Sequence, residues 1–318
     1  MKRIFLSPIT VFAHYTLFTF LLVTLNLSKC SAQASNSGGF RHYTVSSGLS
    51  NNKVYCILQD YKGMMWFGTE DGLNSFDGYS FYQYKYNPGD SFSISNTIIR
   101  CMMEDEEHNL WIGTDDGLNV FNPATGHFTR YKNEAKNNSS VSSNLITSLA
   151  EDDEHNIWVG TSGGGLNMLN KKTGKFSKLF GKKNISGTGD YISALAYDKK
   201  KNSLWIGTSD KGLFNYDLKK SNLTSFAHTE SESSISDNNI TALYVDEKGT
   251  LWIGTLNEGL NKMDAGNFVH YKSSGDANAL SQNSVFGISE DAKGNLWIGT
   301  LGGGLNIFDP DINSFTSY

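Results

Sequence analysis

Catalytic signatures, basic charge and cysteine are what this sequence has least of. No G-x-S-x-G elbow, H-E-x-x-H pair or phosphate-cradling glycine loop occurs, and the seven histidines are scattered along the chain. The chain is therefore expected not to be an enzyme, and to use no cofactor and no metal. Lysine and arginine number 27 against 32 aspartates and glutamates, a formal net charge of −5, which argues against nucleic acid or an anionic membrane surface as a partner. Three cysteines are too few for a disulfide framework. Proline is limited to four residues, while 32 glycines and 13% aromatics fit many short strands joined by tight turns.

What is present is a repeat. Trp66, Trp111, Trp158, Trp205, Trp252 and Trp297 are all the tryptophans of the chain, 45 to 47 residues apart. Each is followed two and three places on by Gly-Thr, from Gly68-Thr69 to Gly299-Thr300. A fixed period of this length marks a repeat architecture and overrides the length-based expectation of about two domains.

The last copy shows what one unit contains. Ser281-Gln282-Asn283 leads into an apolar run, 285–289, that ends at Asp291; Ala292-Lys293-Gly294 turns, and 295–300 is a second strand. A loop at 301–303, a third strand at 304–308, a turn at 309–313 and a fourth strand at 314–318 complete it. Four short strands with Gly and Asp at the joints predict one propeller blade. The fold class is thus all-β: a β-propeller of four-stranded antiparallel blades over residues 35–318, with six complete blades centred on the six tryptophans.

The constant positions have structural readings. Asp60, Asp105, Asp152, Asp198, Asp246 and Asp291 close the first strand and are expected to accept hydrogen bonds from their own turns; calcium-loop spacing is absent. The tryptophan is expected to pack between blades, and the glycine after it to let backbones approach closely or to relieve crowding where strand meets loop. Cys56 and Cys101 share a place held elsewhere by Ser148, Ala194, Ala242 and Gly287, so buried free thiols are expected. Repeat four departs: Gly187-Thr188-Gly189-Asp190 replaces the usual Ser/Asn approach, and 199–203 adds a residue to the first turn.

Residues 1–34 read as an export signal, with Lys2 and Arg3, an apolar run at 11–27 and an Ala32-Gln33-Ala34 cleavage site. A periplasmic product is expected; anchoring by an uncleaved N-terminal segment is the alternative. The outermost strands carry an aromatic-x-x-Tyr marker (Phe81-Tyr84, Phe128-Tyr131, Phe268-Tyr271, Phe315-Tyr318), and Phe40-Tyr43 repeats it before the first blade. That stretch reads as a surplus N-terminal outer strand, which implies an incomplete seven-bladed ring. A six-bladed ring is the alternative.

The segments Leu280-Ser281-Gln282-Asn283-Ser284-Val285, Asp291-Ala292-Lys293-Gly294-Asn295-Leu296-Trp297-Ile298-Gly299-Thr300 and Gly304-Leu305-Asn306-Ile307-Phe308-Asp309-Pro310 together resemble the two-component regulator propeller repeat. The resemblance runs from Phe40 to Tyr318. It implies paired seven-bladed propellers outside the inner membrane, followed by an immunoglobulin-like domain, a membrane helix, a histidine kinase and often a response regulator. Against that layout the chain reads as truncated. Members from Bacteroidetes resemble oligosaccharide sensors that control polysaccharide-utilisation genes, and a homodimer is implied for the full-length context.

Ligand contacts are sought where residues vary on a constant scaffold. One residue into the innermost strand lie Tyr55, Arg100, Thr147, Ser193, Thr241 and Phe286. Tyr55, Arg100 and Phe286 suit a saccharide, offering aromatic faces and a guanidinium fork. The loops between second and third strands add Asp71, Asp116 and Asn257, beside Glu70, Asp115, Asp210, Lys211 and Glu258. Asn52, Asn144, Asn238 and Asn283 are expected instead to satisfy loop backbone. The function expected is an extracytoplasmic sensor module for an oligosaccharide or other small ligand. A protein-interaction scaffold and a periplasmic propeller lyase or hydrolase are the alternatives.

Overall fold

The computed structural model describes residues 40–179, 189–264 and 266–318. The export signal, Cys30, and Gly187 and Thr188 of the fourth approach lie outside the described residues. The described chain is all-β apart from a 3₁₀ turn at Val45–Ser47. It forms six four-stranded antiparallel sheets, each in simple sequence order. Blade one comprises Val54–Gln59, Met65–Thr69, Gly72–Phe76 and Phe81–Tyr84; blade six comprises Val285–Glu290, Leu296–Thr300, Gly304–Asp309 and Ser314–Ser317. The innermost strands of successive blades lie side by side from the first to the sixth.

The tryptophan-bearing second strand explains the stacking. In blades two, three, four and five it is buried along its whole length, because each of its two faces meets a neighbouring blade. The glycine of that strand forms a socket. A Cβ at Gly113 would stand 2.5 Å from Cys101 Sγ and 2.7 Å from Ile146, and Gly68, Gly207 and Gly254 meet Ile99, Ile240 and Val285 in the same way. Thus the first residue of each following blade plugs the glycine of the blade before it. A side chain there would force the sheets apart.

The aspartates do more than cap a turn. Besides accepting from backbone N–H groups, Oδ2 of Asp60, Asp105, Asp152, Asp246 and Asp291 accepts the indole N–H of the tryptophan six residues on, at 2.8 to 3.1 Å. A second device ties blade to blade: Glu104, Glu151 and Glu290 accept the backbone N–H of Tyr61, Glu106 and Glu247 in the preceding blade's turn. His108 and His155 sit in these turns with positive φ of 66° and 62°.

The contact between innermost strands is not repeated between blades six and one. Gly287 and Gly299 of blade six have open space where a Cβ would go. Trp297 is 39% exposed, against 2 to 6% for the other five tryptophans. On the far side of the same opening, Val54 is only half-buried, whereas the equivalent Ile99, Ile146, Ile192, Ile240 and Val285 are fully buried.

Residues 40–43 hold no strand, since no third strand is there to pair with them. Tyr43 nevertheless lies with its ring 5.0 Å from Phe76 and 5.7 Å from Phe81. Tyr84 meets Phe121 and Phe128 at 5.2 and 5.8 Å, and Tyr271 meets Phe308 and Phe315 at 5.1 and 5.9 Å. Tyr43 therefore takes the place that an outermost tyrosine takes against the next blade.

Candidate functional site

The six variable positions share a backbone feature that singles them out. In every blade the register between the innermost and second strands shifts around one residue: Tyr55, Arg100, Thr147, Ser193, Thr241 and Phe286. Each is the unpaired residue of a β-bulge, which bends the strand and re-aims the side chain. Two of them are spent on the scaffold. Thr147 and Thr241 donate their hydroxyls to the carbonyls of Ile192 and Val285 in the next blade.

Tyr55 and Arg100 come together. The guanidinium lies 4.8 Å from the Tyr55 ring centre, and Lys53 Nζ lies 5.0 Å from it. Arg100 grips Asp115 through Nε (2.6 Å) and Nη2 (2.9 Å), and the Tyr55 hydroxyl donates to Glu70 at 3.2 Å. The hydrogen bond to Asp115 raises the Arg100 pKa, while the bond from Lys53 lowers that of Glu70. Arg100 and Lys53 are thus held in their positive form and Glu70 in its negative form through the neutral range. Phe286, half-exposed, faces it across the opening: Tyr55, Phe286, Gly287, Gly299, Leu301 and Leu305 line one cavity of about 460 Å³.

Of the loop residues, Glu70 and Asp115 join this cluster, whereas Asp71, Asp116 and Asn257 do not. Asp71 pairs with Lys85 and Asp116 with Lys132, both at 2.6 Å, and Glu258 pairs with Lys272 at 2.5 Å. The three pairs occupy one place in three blades, so they hold the loop to the outer strand. Asn257 stands in a separate cavity of about 480 Å³ with Glu258, His270 and Lys272, where its backbone and side-chain N–H groups approach Asp237 at 3.3 Å. The lysine partners were missed from sequence, although a signal existed: each follows the tyrosine of the outermost strand. Lys53 was missed as well.

The remaining polar groups have structural work. Asn52, Asn144, Asn238 and Asn283 accept the backbone N–H of Val45, Asn133, His228 and Ser273. His228 and His270 contact the carbonyls of Ile235 and Ser234. Cys56 and Cys101 are free thiols over Gly68 and Gly113; burial pushes Cys56 up to about 12 and Cys101 higher still.

A family model described as the two component regulator propeller matches residues 48–71, 93–116, 140–163, 234–257 and 279–302. Each matched segment spans an approach, an innermost strand with its bulge, and the Trp-x-Gly-Thr strand. The chain belongs to the two-component regulator propeller family. The fourth repeat, the divergent one, lies outside the matched segments of this propeller. Among solved structures, the propeller is similar to an extracellular domain assigned to the hybrid two-component system BT3049 of B. thetaiotaomicron. The identity is 28% and the TM-score 0.74, over 86% of this chain and 36% of that one. The corresponding domain of BT4673, at 24% identity and a TM-score of 0.56 over 88% and 39% of the two chains, shares the fold. Histidine kinase P4 of Formosa agariphila is 47% identical over 78 residues, 24% of this chain and 5% of that protein. The chain thus spans well under half the length of these relatives.

Proposed function

We propose that this propeller is the ligand-facing module of an extracytoplasmic two-component sensor, and that it detects oligosaccharides to regulate polysaccharide use. The observation that carries the reading is the bulge repeated in all six blades, which puts a variable side chain (Tyr, Arg, Thr, Ser, Thr, Phe) at one place on a constant scaffold. Such an array can change what it contacts without changing how it folds. Tyr55 and Phe286 offer two aromatic faces across one cavity, and Arg100 and Lys53 offer donors beside them. That combination matches the stacking and hydrogen bonding by which proteins hold sugars.

Similarity to the BT3049 domain supports an extracellular setting, and the similarity to a histidine kinase supports a signalling one. The export signal read from the sequence at 1–34 agrees with the extracellular setting. Transmission then runs through kinase, immunoglobulin-like and further propeller regions of a longer protein, in which dimerisation belongs to the signalling event.

Calorimetry of the protein against a panel of oligosaccharides tests the reading. Tyr55→Ala and Phe286→Ala should each weaken binding roughly tenfold, the worth of a lost stacking contact of about 1.4 kcal/mol, with little change in melting temperature. A panel with no binder, or a binder indifferent to both substitutions, sinks it.

A further inference from the structure

Three of the clefts between blades set the tryptophan-binding aspartate of one blade beside a glutamate of the next: Asp60 with Glu104, Asp105 with Glu151, and Asp246 with Glu290. In the clefts that follow blades three and four, Tyr197 and Val245 hold the place of the glutamate. Two carboxylates facing one cleft repel each other unless a cation joins them. Two of the three clefts draw that cation from the propeller itself. Lys171 Nζ lies 3.0 Å from Asp105 Oδ2 and 3.1 Å from Glu151 Oε1, on a side chain that is 13% exposed. Lys262 Nζ lies 5.7 Å from the ring of Trp252, the tryptophan held by Asp246.

The cleft between blades one and two has neither lysine. Pro123 stands where blade three has Lys171, and Ser75 where blade five has Lys262. Lys62, in the blade-one turn, lies with its ammonium 5.2 Å from the Tyr61 ring. The cleft holds a cavity of about 350 Å³ with Asp60, Tyr61, Met64, Glu104, His108 and Pro123 in its wall. Tyr61, His108 and Pro123 are exposed and the other three half-buried, so this wall is open to a ligand. The partners that the two carboxylates already have do not use them up. Glu104 accepts the Tyr61 N–H at 3.0 Å and meets His108 Nδ1 at 3.3 Å. Glu151 makes the same two contacts, with the Glu106 N–H and His155, and takes the Lys171 ammonium besides. Asp105 Oδ2 likewise accepts both the Trp111 indole and Lys171, whereas Asp60 Oδ2 accepts the Trp66 indole at 3.0 Å. Asp60 is short of one more donor, since Met64 replaces the Asn109 whose amide donates to Asp105. An ionised carboxylate has about four acceptor sites to fill.

We propose that the cleft between blades one and two binds a primary alkylammonium group brought by a ligand, independently of the saccharide reading above. The ammonium sits between Asp60 and Glu104 as Lys171 Nζ sits between Asp105 and Glu151, and the methylene stem runs out past Met64 and Pro123. A compact ammonium on an aliphatic stem is the group the equivalent frame accepts one blade further on. Such a group comes either from a free amine or from a lysine side chain on a polypeptide. The site is separate from the one around Tyr55. Asp60 follows the last residue of the innermost strand Val54–Gln59, and Tyr55 lies next to its first.

Calorimetric titration of the whole protein tests the site. The probes are n-pentylammonium chloride and Nα-acetyl-lysine N-methylamide, with 1-pentanol and sodium chloride as controls. Pentylammonium should bind, and neither control should. A lysine amide that binds as tightly as pentylammonium identifies a polypeptide lysine as the source; one that does not bind identifies a free amine. Pro123→Lys copies the residue that blade three carries in the same exposed turn. It should supply the ammonium from within and weaken pentylammonium binding at least tenfold, as loss of one charge-assisted contact does. Glu104→Gln keeps an acceptor for the Tyr61 N–H while removing the charge, and should weaken binding by a similar factor. The Pro123→Lys comparison stands even where Glu104→Gln misfolds. Absence of pentylammonium binding, an equal response to pentanol, or binding that Pro123→Lys leaves unchanged overturns the site. Substitution of Tyr55 should leave amine binding as it was, so failure of the saccharide reading and failure of this one are told apart.

Discussion

Single residues decide whether blades can meet. Gly160 has Ile192 2.7 Å from where a Cβ would stand, with Ser148 closer still, while Gly299 has nothing within reach. Gly160→Ala should cost about 1–3 kcal/mol through overpacking, and Gly299→Ala within about 0.5 kcal/mol of nothing; urea melts of the two variants check the contrast. The aspartates set the acid limit. Burial alone would raise the Asp105 pKa, but hydrogen bonds from Trp111, Asn109 and Lys171 outweigh it and hold the group below its ordinary value; hydrogen bonds from Asn295 and Trp297 do the same for Asp291. A carboxylate depressed in the folded state contributes fully above its unfolded pKa of about 4 and loses that contribution as pH falls through the folded value. Stability should therefore hold from neutrality down to about pH 4 and fall below it, with a shallower fall in Asp105→Asn. At this scale the sequence was readable where a residue recurs. The aspartate and the small residue opposite the glycine had the roles their regularity suggested, whereas the glycine makes room for a side chain of the next blade rather than for a backbone. The indole bond was not readable, because a spacing of six says nothing of which way two side chains face.

The element that most rewards attention is the innermost strand, where strand and bulge carry separate tasks. Period and turn residues placed the strands within a residue or two. They could not reveal the bulges, since an unpaired residue exists only relative to a partner strand. The same limit applies to the loops. Asp71, Asp116 and Asn257 looked alike as polar variation, yet two are tied to lysines and the third opens on a different cavity from Tyr55. Removing loop ties should separate exposed from sheltered ones. Lys132→Ala breaks a half-exposed pair with Asp116 and should change stability by less than about 1 kcal/mol. Asn144→Ala removes the acceptor of the Asn133 N–H (2.6 Å) and a donor to Asp116 (3.0 Å), and should cost about 1–2 kcal/mol. Thermal denaturation of both proteins ranks them.

For the molecule as a whole, six blades follow from six tryptophans, but the count of interfaces is one short. The aromatic-x-x-Tyr marker at 40–43 anticipated a place for an outermost strand before blade one, and Tyr43 occupies the corresponding position against Phe76 and Phe81. Strand structure did not form there because pairing needs a neighbour, which sequence pattern alone does not supply. The uncovered side can be read by light: of the tryptophans, Trp297 is the one with substantial exposure. Acrylamide should quench a fraction of the emission that disappears in Trp297→Phe. A version of the protein extended after Tyr318 by a further Trp-Ile-Gly-Thr repeat should lose that fraction too and melt at a higher temperature. Persistent quenching in the extended protein would show that the open side is not built for another blade.

The glycine socket gives the stack a direction. Every blade offers a recess on one side and a protruding β-branched residue on the other, so any run of blades has unlike ends, as a row of hooks and eyes does. Unlike ends on one body attract copies of the same body head to tail, and such association either circles back on itself or grows without limit. Val54 and Gly299 are those two ends in this protein. Sedimentation that depends on concentration, and that stops when Val54 is replaced by Asp, is the behaviour this polarity demands.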